Sequence, residues 1–159
     1  MYDAAERGDW KSAISFIDND PDALTAEISL TYGTVLHVSA MKCQWNFIVM
    51  LVELVSTPQS IAVRNSIGIT VLHYVALNGS LRTAKALIEK NSGLLQMVDH
   101  QGNLPLLFSL YSFMHRKSKK LVWYLSLMTR VDSPSYPGFI PSLPRILRGL
   151  IYLGYYGKN

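Results

Sequence analysis

Thr34-Val35-Leu36-His37-Val38-Ser39-Ala40 recurs as Thr70-Val71-Leu72-His73-Tyr74-Val75-Ala76, 36 residues further along the chain. A degraded third copy, Leu104-Pro105-Leu106-Leu107-Phe108-Ser109-Leu110, follows 34 residues later. Self-similarity at this period is the mark of a repeat architecture, in which one unit cannot bury its own apolar face and neighbours must stack to do so. The flanks repeat as well. Asn65 and Gly68 before the second copy correspond to Asp99 and Gly102 before the third. Ala5-Glu6-Arg7-Gly8-Asp9-Trp10 aligns with Ala76-Leu77-Asn78-Gly79-Ser80-Leu81, and Ala40 to Trp45 takes the same register. A first unit is therefore present by its helical part only.

Each unit carries the same local instructions. Thr34 and Thr70 offer hydroxyls to the unpaired N–H groups at a helix start. Leu36 and Ala40, and likewise Leu72 and Ala76, lie four apart on one helical face. Gly79 stands where the short helix must end, because glycine accepts the left-handed cap conformation. The pattern predicts helix pairs at about 35–42 and 45–55, 71–78 and 81–90, and 105–112 and 117–126. Asp99-His100-Gln101-Gly102 reads as a turn.

These residues resemble the ankyrin repeat: a turn with Asp and Gly, then Thr-Pro-Leu-His and Ala, then two antiparallel helices. Val35 and Val71 stand where that pattern has proline, whereas the third unit keeps Pro105 and loses the Thr and His. The opening Tyr2-Asp3-Ala4-Ala5-Glu6-Arg7-Gly8-Asp9-Trp10 and the segment Asn65-Ser66-Ile67-Gly68-Ile69-Thr70-Val71-Leu72-His73 are similar to plant ankyrin proteins. Full-length members of that group end in a membrane-spanning domain with a Pro-Gly-Gly motif, and no such segment is read within these residues. The resemblance covers about residues 2 to 126. It implies an all-α fold: an ankyrin-repeat solenoid of three to four helix-turn-helix units with a divergent C-terminal tail. The expected division is a repeat domain over 1–128, with units at about 2–28, 29–64, 65–98 and 99–128, and a tail over 129–159. Pro134, Pro137, Pro141 and Pro144 interrupt that tail and break any long helix. A short helix over 145–156 is predicted within it, carrying Ile146, Leu150, Ile151 and Leu153 beside Arg145 and Arg148. The tail is expected to be partly disordered or folded over the open end of the stack.

The formal charge is +4, unevenly placed. Residues 1–114 hold seven Lys/Arg against ten Asp/Glu, a balance of −3, and residues 115–159 hold eight against Asp132 alone, a balance of +7. Charged residues make up 16% of the chain and apolar ones 49%, which argues against disorder. The lone Cys43 forms no intrachain disulfide and fits a reducing compartment. The N-terminus has no basic and apolar signal regions, and no run of 18 uncharged apolar residues occurs, so neither a cleaved signal nor a membrane-spanning helix is expected. The expected location is cytoplasmic.

Catalytic chemistry finds little footing. His37 and His73 lie 36 residues apart with no nearby Cys, His or Asp to complete a ligand set. The resemblance makes each a structural hydrogen-bonding residue tying neighbouring turns together. Cys43 stands at the inter-helix glycine position, with no base or oxyanion donor identified. No glycine-rich phosphate loop is present. No enzyme activity, cofactor or metal is expected. Thr34, Leu36, His37, Thr70, Leu72, His73, Gly79 and Gly102 are read as the structural motif.

The expected function is protein binding, which the resemblance places in intracellular signalling, as an adaptor in plant stress or defence responses. Carrying the family's contact positions across gives Leu30, Thr31, Met41 and Lys42 in one unit. The next contributes Ser66, Ile67, Ile69, Leu77 and Asn78, and the last contributes His100, Gln101, Asn103, Tyr111 and Ser112. Several are apolar where a monomer's surface favours polar groups, and exposed apolar patches mark interaction sites. The partner's identity is not specified by the sequence. The alternative is a peripheral membrane adaptor at the inner face of the plasma membrane, with Arg116, Lys117, Lys119 and Lys120 meeting anionic lipid headgroups at about 1 kcal/mol per cation. Nucleic acid is not an expected partner, because no aromatic platform interleaves with the cations.

Overall fold

The computed structural model describes residues 1–114, 119–129 and 143–154. They are mostly helical. In chain order, α1 spans Tyr2–Arg7, α2 Trp10–Asn19, α3 Val35–Met41 and α4 Trp45–Leu54. Then come α5 at Val71–Asn78, α6 at Leu81–Lys90, α7 at Pro105–Met114, α8 at Lys119–Met128 and α9 at Leu143–Tyr152. Short 3₁₀ turns at Pro21–Leu24, Pro58–Ile61 and Ser92–Gln96 follow the second helix of successive pairs. One strand pair breaks the helical pattern: β1 (Glu27–Ser29) runs antiparallel to β2 (Gly33–Thr34). The repeat motifs did not predict this ladder.

The helices stack in two rows. In the first row α3 packs on α1 and α5, and α7 packs on α5 and α9. In the second, α6 packs on α4 and α8. The motif sequences explain the difference between the rows. A first-row helix is covered by a neighbour on either side and by its own partner, so α5 buries Val71, Leu72, His73, Tyr74, Val75 and Ala76 in succession. The second-row helix α6 is two-faced, with Thr83, Ala84, Leu87 and Ile88 inside and Arg82, Lys85 and Glu89 outside. Burying a side chain such as Leu87 contributes about 2 kcal/mol from removal of apolar surface.

The predicted caps form. Thr34 and Thr70 close capping boxes in which the partner three residues on is a histidine, not the usual Glu or Gln. Between paired helices the chain turns through the left-handed region at Gly8, Cys43 and Gly79, with φ of 69°, 60° and 94°. Cys43 thus holds the glycine position at a steric cost that glycine avoids. The predicted pairs coincide with α3 to α7 to within two residues. α8 starts at Lys119, two residues later than expected, and the segment 115–118 before it lies outside the described residues.

The predicted tail helix is also present, running Leu143–Tyr152 in place of 145–156. It folds over the open end of the stack, burying Ile146 and Leu150 against α7. The approach is close: a Cβ on Gly149 would lie 2.9 Å from Leu110 Cδ1. No helix among the described residues is long and apolar enough to cross a membrane.

Candidate functional site

The turns that join one unit to the next line one edge of the stack. Two of them are built alike. Asn65 Oδ1 accepts from the backbone N–H of Ile67 at 3.2 Å and of Ile69 at 2.9 Å. Asp99 Oδ1 accepts from Gln101 at 2.9 Å and Asn103 at 2.8 Å. The backbone N–H groups of Asn65 and Asp99 reach the carbonyls of Ile69 and Asn103. A short polar side chain that satisfies its own loop in this way fixes a turn without any partner strand. Gly68 makes the next contact possible: at φ 81° it passes so near the following turn that a Cβ would sit 2.5 Å from His100 Cδ2 and 2.7 Å from His100 N.

The two histidines lock these turns to the helices behind them. His37 Nε2 meets the Ile69 carbonyl at 3.0 Å, and His73 Nε2 meets the Asn103 carbonyl at 3.1 Å. Each Nδ1 faces the backbone N–H of its own capping threonine, at 3.3 Å from Thr34 and 3.1 Å from Thr70. An N–H only donates and a carbonyl only accepts, so both rings are neutral with the proton on Nε2. Burial pushes each ring from 6.5 down to about 4, against the opposing pull of the carbonyl hydrogen bonds. Tyr74 meets the His37 ring edge-on at 6.2 Å, and Phe108 meets His73 at 5.0 Å. Both nitrogens of both rings are thus occupied within the fold. Among the described residues, no group of three or more His, Cys, Asp or Glu is placed to hold a metal ion.

The predicted contact residues divide sharply. Leu30, Thr31, Ser66, Ile67, His100, Gln101 and Tyr111 are exposed, Leu30 and Ile67 on the tips of successive turns. Met41 and Leu77 are half-buried against the stack. Lys42 is exposed but ion-paired with Glu6 at 2.5 Å, and this contact holds the Glu6 carboxyl below its ordinary range. Asn78 donates from Nδ2 to the Ala40 carbonyl at 3.1 Å, which ties α5 to α3.

Two expectations need correction. Ile69 is only 8% exposed and Asn103 only 6%. They occupy the same place in successive units, directly before the helix. There the backbone N–H is held by Asn65 or Asp99 and the carbonyl by the preceding unit's histidine. The side chain of Ser112 lies outside the described residues, as do Arg116 and Lys117. Lys119 and Lys120 are exposed at the start of α8.

Arg145 of α9 was read only as part of the tail, yet it enters this face. Its Nη1 donates to Asn103 Oδ1 at 3.2 Å, its Nη2 donates to the Tyr111 hydroxyl, and its guanidinium stands 5.8 Å from the centre of the Tyr111 ring. The one sequence signal for it was the amphipathic spacing of Arg145, Ile146, Arg148 and Leu150. No family model and no curated protein matches the chain.

Proposed function

We propose that this chain is a protein-binding module of the ankyrin-repeat type, a short solenoid whose turn tips and first-row helices form the partner face. The observation that carries the reading is the placement of Leu30 and Ile67. Both are large and apolar, both project from successive turn tips, and neither is needed by a core that is already closed beneath them. Exposed apolar groups aligned on one edge of a rigid scaffold favour an interaction surface over a catalytic cleft. The repeated histidine-to-carbonyl links support the repeat assignment, since they tie unit to unit at the same motif position. On this reading the module works in the cytoplasm as an adaptor, without cofactor, metal or catalysis.

The test compares proteins captured from a plant lysate by the wild-type chain and by Leu30→Asp/Ile67→Asp. A partner held by the wild type and lost by the double variant, at unchanged melting temperature, is the expected result. Identical capture profiles would remove the turn tips from the function.

A second reading, peripheral attachment to anionic membrane, is favoured by one observation. α8 sets exposed Trp123 and Leu127 beside Lys119 and Lys120, the mix of aromatic, aliphatic and cationic groups suited to a headgroup layer. Co-sedimentation with phosphatidylserine vesicles and with neutral ones separates the two readings.

A further inference from the structure

Resting on the protein-binding reading, the C-terminal end of the face goes further and specifies the partner's chemistry. Two recesses meet there. One, of about 330 Å³, is floored by Leu107, Leu110 and Leu153 and rimmed by Tyr111, Arg145 and Arg148. The other, of about 350 Å³, shares Tyr111 and Arg145 and extends to Ile67 and His100. For scale, a cavity of about 150 Å³ lodges one benzene ring. Each recess therefore has room for a large side chain, and the two lie side by side with the Tyr111–Arg145 pair between them.

The charge around them is unbalanced. Arg145 is held by a side-chain amide oxygen and a phenol, both neutral. Arg148 is exposed, and no carboxylate among the described residues lines the first recess. The second recess does contain Asp99, but its Oδ1 takes the Gln101 and Asn103 backbone N–H groups and its Oδ2 takes Asn103 Nδ2. That carboxylate is committed to its own turn. Two guanidiniums without a carboxylate partner among the described residues, next to a leucine floor, call for a ligand that is anionic at one point and apolar on either side of it. A free phosphate would leave the leucines uncovered. A peptide supplies both features, and arginine receives a carboxylate through paired, charge-assisted hydrogen bonds. Tyr and Arg are also the residue types in which binding energy concentrates.

We infer that these recesses take a partner segment in which an Asp or Glu is flanked by large apolar side chains. The carboxylate goes to Arg148 and Arg145, and the apolar groups go to the recesses on either side of Tyr111.

Selection of a random peptide library on the full chain tests this, followed by fluorescence anisotropy with the synthetic consensus peptide. The expected consensus has one acidic position between apolar ones. Its Glu→Gln version should bind roughly tenfold more weakly, and so should the parent peptide on Arg148→Gln. Arg148 makes no hydrogen bond or ion pair within the described residues, so that variant should melt like the wild type. Arg148→Glu should reverse the preference, binding a Glu→Lys peptide better than the parent. A consensus without an acid, or one insensitive to Arg148→Gln, would overturn the inference while leaving a protein-binding module in place. If no peptide is enriched and neither Leu30 nor Ile67 matters for capture, both readings fall together. Displacement of the peptide by neutral and anionic detergents alike would show general apolar adhesion and would also overturn it.

Discussion

His73 joins two units through one ring: Nδ1 accepts from the Thr70 backbone N–H at 3.1 Å, and Nε2 donates to the Asn103 carbonyl at 3.1 Å. The ring is fully buried and lies against Phe108 of the following unit. Replacing it with alanine removes these bonds and the 2.9 Å contact of Nδ1 with the Thr70 hydroxyl, leaves the Thr70 N–H and the Asn103 carbonyl each short of a partner, and opens space beside Phe108. His73→Ala should therefore lose about 2–4 kcal/mol, given about 1–3 kcal/mol for each buried group left unpaired. Urea denaturation measures this. A loss under about 0.5 kcal/mol, the range of an inert surface change, would contradict the role assigned to the ring.

The same rings predict a dependence on pH. In the folded chain His37 and His73 titrate at about 4, below the ordinary 6.5, because burial disfavours the charged form. Protonation would also place a proton on Nδ1, facing the N–H that it now accepts from. Between these values the unfolded chain binds protons that the folded chain refuses. Stability is thus complete above about 6.5, falls as the pH drops, and stops falling on this account below about 4. The slope within the window should approach about 1.4 kcal/mol per pH unit for each ring. Denaturation midpoints at several pH values give the slope, and His73→Gln should roughly halve it. An equal slope in the variant would mean that other groups govern the acid limb.

Gly68 and Gly154 both adopt positive φ, at 81° and 70°, but their surroundings differ. A methyl on Gly68 would press into the backbone and ring of His100, whereas no atom of the described residues lies within 4 Å of the corresponding position on Gly154. Gly154→Ala should cost only the conformational penalty, about 1 kcal/mol. Gly68→Ala should cost clearly more, because two turns must separate to admit it. Equal losses in thermal melting would remove the close approach of the turns as a determinant of the stack.

The contrast within α9 tests its docking. Ile146 is 2% exposed against α7, and Ile151, on the same helix, is 62% exposed. Ile146→Asp would bury an unpaired charge and should release α9, raising hydrogen exchange across Leu143–Tyr152 to the level of an isolated helix. Ile151→Asp should leave exchange unchanged. Protection that survives Ile146→Asp would show that α9 is held by something other than its apolar face.

Much of this architecture was legible in the chain. Thr34, Thr70, Gly79 and the Leu/Ala spacings specify local geometry by themselves, so helices such as Leu81–Lys90 fall where the spacing puts them. The β1–β2 ladder was not legible: its few residues carry no alternating pattern, and pairing comes from the turn that Ser29 closes onto the Tyr32 N–H. The docking of α9 was one of two fates expected for the tail, the other being partial disorder, and its amphipathic spacing was the signal. Its target is α7, and no repeat position encodes Arg145 reaching Asn103. The face itself was half legible. The spacing gives the turn tips but not which side chains turn inward, because that depends on how the neighbouring unit packs. Gly33 held a clue: it occupies the place of Ile69 and Asn103 one unit earlier, and a Cβ there would sit 3.0 Å from Asn65 Cβ.

Ile67 and Ile69 turn that distinction into an experiment. They are two residues apart in one turn, yet Ile67 is 53% exposed and Ile69 is 8% exposed. Both have bonded backbones, Ile67 through Asn65 and the His100 N–H and Ile69 through Asn65 and His37, so what separates them is the side on which each side chain stands. Ile69→Asp would place a carboxylate among apolar neighbours and should destabilise the chain by several kcal/mol, as burial of an unpaired charge does. Ile67→Asp should change stability by no more than about 0.5 kcal/mol, as exposed substitutions usually do. If the turn tips form the partner face, Ile67→Asp should instead weaken binding by at least about 2 kcal/mol, the level that marks a hot spot. Urea denaturation and titration against the captured partner measure the two effects separately. A destabilised Ile67→Asp would mean that this side chain belongs to the fold. A stable Ile67→Asp with unchanged binding would move the working surface off the turn tips, toward the recesses at Tyr111 and Arg145 or the basic face of α8.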